Sequence, residues 1–203
     1  MFITFEGIDG SGKTTQIKLL QTYLEKKGIA VLTLREPGGN AFSEQIRELL
    51  LNSKHKISSR TELLLFEAAR AQLVDSVIKP ALTEGKIVIS DRFYDSTTAY
   101  QAFGRGLPLE EVNFCNMFAT GGLKPDITFY LKISLEESKK RAHYRFYDRI
   151  EQSGDIFFQK VIEGYNYIAS REPERFIVID ASGRREETSS KIIAKFEEIY
   201  NKK

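Results

Sequence analysis

Gly7-Ile8-Asp9-Gly10-Ser11-Gly12-Lys13-Thr14 meets the pattern G-x-x-x-x-G-K-[ST] at every fixed position, and each position has a physical reason to be what it is. Gly7, Gly10 and Gly12 let backbone N–H groups turn inward on an anion, and a helix starting at the end of the loop adds the positive end of its dipole. Lys13 offers a mobile charge for β/γ-phosphates, and Thr14 a hydroxyl for Mg2+. The flanks agree: Phe2-Ile3-Thr4-Phe5-Glu6 reads as a strand, and Ile17, Leu20 and Leu24 recur at helical spacing after Lys13. Strand, loop and helix follow in the order a phosphate cradle needs, which a chance Gly-rich turn would not require. Nucleotide-phosphate contacts are therefore expected along Gly7, Ile8, Asp9, Gly10, Ser11, Gly12, Lys13, Thr14 and Thr15.

Working outward, four more apolar runs read as strands, at residues 29–34, 87–90, 127–133 and 176–179. Helix-period segments separate them, so the chain predicts a three-layer α/β fold with a five-stranded parallel sheet and helices on both faces. Ligands in such folds sit at the carboxyl ends of the strands. About fifty residues lie between the second and third strands, with helical patterns at 41–51 and 60–82. That is too long for a simple crossover, and it is where a second substrate could be held. Ser134 and Glu137 form a capping box that starts a helix, and residues 191–200 close the chain as an amphipathic helix.

At 203 residues and 41% hydrophobic content, the chain can bury one core, and residues 1–203 are expected to form one domain. Thirty basic against 28 acidic residues give a net charge of +2, which provides no overall attraction to nucleic acid. The single cysteine, Cys115, lies in the apolar stretch Phe114-Cys115-Asn116-Met117-Phe118 and reads as core packing. No apolar run approaches membrane-spanning length, and the first residues read as strand and loop rather than a cleavable signal, so a cytoplasmic protein is expected.

Two further constellations carry chemistry. Asp91-Arg92 follows the strand at 87–90, which places a carboxylate able to hold Mg2+ and a guanidinium able to fork a phosphate at the sheet edge where the loop opens. Alone, the pair reads equally as a turn cap beside a surface arginine; a phosphate loop upstream favours two phosphorylated ligands and hence phosphotransfer. Phe66 and Arg70 stand at i and i+4, an aromatic plane beside a fixed fork of donors suited to a flat heterocycle, although such a pair is also common core packing.

Taken together, GIDGSGKTT from Gly7, Arg35-Glu36-Pro37-Gly38-Gly39, the LLLFEAAR segment ending at Arg70, DRFYDSTTAYQ from Asp91 to Gln101, and YDRIE from Tyr147 to Glu151 resemble the bacterial thymidylate kinases, within the P-loop nucleoside monophosphate kinases. The likeness covers nearly the whole chain. It implies a P-loop NTPase fold with a short mobile lid at about 141–151, and transfer of the γ-phosphoryl of ATP to dTMP with Mg2+, giving ADP and dTDP for dTTP synthesis. It implies that Lys13 and Thr14 meet the ATP phosphates and the metal, for which the residue reading also offers Asp91, and that Arg92 grips the acceptor phosphate. It puts Asp9 near the sugar 3′-hydroxyl, Phe66 against the base, Arg70 at the thymine carbonyl, and Thr97 and Gln101 near the base edge. Tyr100 would pack beneath the sugar and exclude a 2′-hydroxyl, with Glu36 and Tyr165 also at the dTMP site. It implies a homodimer as well, for which the 60–82 helix offers a face.

The resemblance makes the basic segment from Arg141 to Arg149 the lid. Arg141, Arg145 and Arg149 recur every four residues, so a helical lid would align them, and Arg145 or Arg149 is expected to neutralise charge in the transition state. His55 and His143 are read as incidental. Two rivals remain: a kinase of another monophosphate, such as cytidylate, and a P-loop switch protein that hydrolyses ATP without an acceptor.

Overall fold

The structure, a computed structural model, describes residues 1–141 and 148–202. Five strands form one parallel sheet: β1 (Phe2–Glu6), β2 (Val31–Arg35), β3 (Ile87–Asp91), β4 (Ile127–Lys132) and β5 (Phe176–Asp180), in the spatial order β2-β3-β1-β4-β5. Because side chains alternate along a strand, β1 serves both faces. Ile3 and Phe5 join Phe129 beneath α1 (Lys13–Lys26) and α9 (Arg185–Tyr200), which contribute Ile17, Leu20, Ile192 and Phe196. Phe2 turns to the opposite face with Val88, under Leu73 and Ile78. Thr4 shares that face, and its hydroxyl lies 2.8 Å from that of Thr128, its register partner in β4.

All five expected strands are present; β1 has its expected bounds, and the others differ by a residue or two at an end. β2 starts later than expected because Ile29 is used elsewhere: its N–H closes α1 on the carbonyl of Leu24 at 3.1 Å, after the left-handed turn at Gly28. The insertion contains α2 (Ala41–Asn52) and α3 (Ser59–Leu73), whose side-chain N-caps are Asn40 and Ser58. The single helix read at 60–82 is in fact three pieces. α3 passes into a π-helical turn, Val74–Ile78, and then into α4 (Lys79–Thr83). The wider turn precedes Pro80, which has no N–H to give to an α-helical ladder.

After β3 come α5 (Tyr94–Thr97), a second π-helical stretch Thr98–Gly104, and α6 (Leu109–Thr120). Gly164 of α8 (Asp155–Arg171) permits close contact with that stretch, since a Cβ there would sit 2.8 Å from the Cα of Ala99. α7 (Leu135–Arg141) begins at the expected cap, with Glu137 N–H donating to Ser134 Oγ at 3.1 Å. The Glu137 carboxylate turns forward to Arg141 at 2.7 Å instead of completing the box. The closing helix is longer than expected, running from Arg185.

Cys115 is half-buried at the edge of a small cluster of Leu63, Ala102 and Val112, not in the main core. Its neighbours Phe114, Met117 and Phe118 are exposed. The apolar stretch around Cys115 is therefore largely a surface.

Candidate active site

β1 ends at Glu6 and releases the chain into the loop, where Gly10 and Gly12 take φ of 77° and 94°. Side chains with a Cβ rarely adopt that region, so the loop needs glycine there. α1 then starts at Lys13 and points its positive end at the loop. Lys13 is buried, and its ammonium donates to the carbonyls of Gly7 at 3.0 Å and Ile8 at 3.3 Å. Burial, then the charge of Arg92, lowers its pKa. Thr14 Oγ1 donates to Asp91 Oδ2 at 3.2 Å, which brings a hydroxyl of α1 and a carboxylate of β3 together at the loop mouth.

These groups open into a cleft of about 480 Å³ over the carboxyl ends of the strands. On the side of the loop it is lined by Asp9, Gly10, Gly12, Lys13, Thr14, Thr15 and Arg141. Gly7, Ile8 and Ser11, also expected at the phosphates, are buried and do not line the cleft. Arg141 donates from Nη1 to Gly10 O at 3.4 Å, and from Nη2 to Ala181 O at 3.0 Å and Ser182 O at 3.1 Å, bridging the phosphate loop to the turn after β5.

The opposite wall is lined by Glu36, Phe66, Arg70, Asp91, Arg92, Ser96, Thr97, Tyr100 and Gln101. Arg92 stands at φ 73°, a conformation that costs about 1 kcal/mol or more in a non-glycine residue. Its Nη2 donates to Asp9 Oδ1 at 3.1 Å and its Nη1 to Gly7 O at 3.0 Å, with the guanidinium 5.2 Å from the Tyr100 ring centre. Arg70 is almost fully buried between two carboxylates, donating from Nε to Glu36 at 2.8 Å and from Nη1 to Glu67 at 2.5 Å and Thr97 at 3.0 Å. Burial pushes the Glu36 acid up to about 7, with Arg70 opposing the rise. Phe66 is half-buried on the cleft wall. Gln101 is buried, and its amide donates to Glu62 at 3.0 Å.

Two expectations change. Tyr165 does not reach the cleft wall. It is fully buried behind Arg92, its hydroxyl donating to Glu6 at 2.9 Å. Arg149 is not on a helical lid facing the loop. Asp148 Oδ1 accepts from the N–H groups of Ile150 and Glu151, forming a capped turn. From it Arg149 donates to Leu50 O at 2.8 Å and pairs with buried Glu62 at 2.5 Å. Arg145, like His143, lies outside the described residues. Sequence reading missed Glu6, Glu62 and Ser96. A glutamate ending an apolar strand is the one local signal that could have pointed to Glu6.

A phosphate loop and an arginine-bearing strand end facing each other across one cleft, over a parallel sheet, define a P-loop nucleotide kinase. The family model described as thymidylate kinase matches residues 5–192. Thymidylate kinases from Chlorobaculum parvum, at 50% identity over 96% of this chain and 94% of theirs, and Kosmotoga olearia, at 44% over 97% and 95%, are similar along nearly their full lengths. The crystal structure of thymidylate kinase from Ehrlichia chaffeensis superposes with a TM-score of 0.79 at 37% identity, covering 97% of this chain and 98% of that one. The chain belongs to the thymidylate kinase family.

Proposed function

We propose that this cleft performs the family's reaction with ATP over the phosphate loop and dTMP against the opposite wall. The chain moves the γ-phosphoryl of ATP to dTMP, giving dTDP and ADP. The observation that carries the two-substrate arrangement is the meeting of Arg92 with Asp9 and Gly7 at 3.0–3.1 Å, which puts an acceptor-side guanidinium against the donor-side loop. Phosphoryl transfer asks for positioning and charge neutralisation more than covalent help. Arg92 would hold the dTMP phosphate in line, Lys13 would leave its loop carbonyls for the transferring phosphoryl, and Asp9 would accept from the sugar hydroxyl.

Phe66 and Tyr100 offer the base and the sugar their aromatic faces, while Glu36 fixes Arg70 beside Thr97 and Gln101 at the base edge. The Nη2 of Arg70 is not engaged by its three partners and is the nitrogen left for a ring carbonyl. Arg141 and the turn at Ala181 would flank the adenine. Thr14 and Asp91, two hard oxygen donors 3.2 Å apart, suit Mg2+ carried in on ATP, which would screen charge between the phosphates. Among the described residues no group of three or more His, Cys, Asp or Glu could hold a metal by itself, consistent with an ion that takes most of its ligands from phosphate and water. The lid arginine that completes charge neutralisation would be Arg145 or Arg149, the latter only after leaving Glu62.

No helix among the described residues is long and apolar enough to cross a membrane, and a cytoplasmic enzyme acting as one domain over residues 1–203 fits the reading. Leu64 of α3 and Phe114, Met117 and Phe118 of α6, each at least 60% exposed, form the face through which two copies would pair.

The test is ADP release from Mg2+-ATP with dTMP, dUMP, CMP or GMP added separately, and with no acceptor. Turnover confined to dTMP supports the assigned pocket. Preference for another monophosphate overturns the base-site assignment, and acceptor-independent ADP release favours a switch ATPase.

A further inference from the structure

Glu6 is fully buried at the end of β1, yet among the described residues its carboxylate has no charged hydrogen-bond donor. Oε1 accepts from the N–H of Phe93 at 2.8 Å. Oε2 accepts from Ser96 Oγ at 2.6 Å and from Tyr165 OH at 2.9 Å. The same two hydroxyl oxygens accept from Arg92 Nη1, at 3.2 Å and 3.3 Å. A hydroxyl has one proton. The two hydroxyl oxygens also lie 3.0 Å from each other; with both protons spent on Glu6, only lone pairs are left facing the arginine. Through Phe93 N–H, Glu6 also pins the residue that follows the strained φ of Arg92.

We propose that Glu6 is a positioning residue for the acceptor phosphate. Its ionised carboxylate sets the proton direction of Ser96 and Tyr165, so that their oxygens hold Arg92 Nη1 against Gly7 and leave the Nη2 edge, beside Asp9, for the phosphate. This rests on Arg92 being the phosphate grip. Burial, with Asp95 adding, pushes the Glu6 acid up to about 7, while Arg92, Ser96 and the Phe93 N–H oppose the rise. The positioning form is the ionised one, which Arg92, Ser96 and the Phe93 N–H favour against burial and which predominates only above about pH 7.

Glutamine in place of Glu6 is nearly isosteric but reverses this logic. If its carbonyl keeps the Phe93 N–H, its amide group donates to Ser96 and Tyr165, whose protons then turn toward Arg92, donor against donor. Glu6→Gln should raise the KM for dTMP about tenfold or more, the scale of a lost hydrogen bond to a charged group, with the KM for ATP and the melting temperature near those of the unaltered enzyme. The double variant Ser96→Ala, Tyr165→Phe should raise the dTMP KM similarly while keeping Glu6, and it decides the matter alone if Glu6→Gln does not fold. Arg92→Ala is measured in parallel. If Arg92→Ala raises the dTMP KM and neither other variant does, the proposal is wrong and the grip stands. If Arg92→Ala also leaves it unchanged, the grip reading falls and takes the proposal with it. A Glu6→Gln enzyme that loses only stability, with an unaltered dTMP KM, shows a structural role and overturns the proposal.

Discussion

Lys13 and Arg92 are both cations, and the fold keeps them close enough for Arg92 to depress the lysine's pKa. On the proposed reading, substrate phosphates lie between them and offset this crowding, so each should matter to a different substrate. Lys13→Ala should lower kcat by roughly a hundredfold or more with little change in the KM for dTMP, whereas Arg92→Ala should act mainly on that KM; steady-state ADP release read against both substrates separates the two. The buried carboxyls make a second prediction. Glu6 and Glu36 both have acids raised from 4.5 to about 7, so between those values the folded chain binds protons that the unfolded chain has released. Stability from this source is full below about pH 4.5 and is lost as pH rises through 7, at a scale of roughly 3 kcal/mol per group. The carboxyls lowered by ion pairs, such as Glu62 and Glu172, titrate below that window and do not mask the effect. Urea midpoints should fall from pH 5 to pH 8, and by less in Glu36→Gln; a flat or rising profile would count against the assignment.

α3 lines the cleft on one side and ties the insertion to later elements through Glu62. That buried carboxylate takes hydrogen bonds from Gln101 at 3.0 Å, from Arg105 at 2.9 Å and 3.2 Å, and from Arg149 at 2.5 Å, joining α3, the second π-helical stretch and the capped turn at Asp148. Glu62→Ala would strand two half-buried guanidiniums and an amide, and should cost about 3–5 kcal/mol by chemical denaturation; a loss under 1 kcal/mol would mean that water replaces the carboxylate freely. The same elements show how far local pattern carries. The loop, the strand order of β and α, and the Phe66–Arg70 face were legible because each is a spacing within a few residues. The break before Pro80 was not, because one extra residue per turn hardly disturbs an apolar periodicity over twenty residues. Nor were the Tyr165–Glu6 and Arg149–Glu62 bonds, which join residues 159 and 87 positions apart and leave no mark in either neighbourhood. No pattern near Tyr165, expected at the dTMP site, reveals the distant carboxylate that holds its hydroxyl.

At the scale of the whole molecule, the parallel sheet leaves its functional edge at the strand ends and its apolar surplus on the insertion side. Phe114 and Phe118 stack on the outer face of α6 at 6.5 Å between ring centres, Phe118 is 80% exposed, and Leu64 extends the surface onto α3. Burying each such side chain is worth about 1.5–3 kcal/mol, so four per copy can offset the cost of association. α3 also presents Phe66, Glu67 and Arg70 inward, so pairing through its outer face would brace the cleft wall proposed to hold the base. Phe118→Glu should therefore give a monomer by sedimentation velocity at micromolar concentration. In that monomer the KM for dTMP should rise several-fold while the KM for ATP, proposed to bind at the phosphate loop, holds steady. An unaltered chain that sediments as a monomer at tens of micromolar would refute the interface, and a monomeric variant with an unchanged dTMP KM would show that α3 is rigid without its partner.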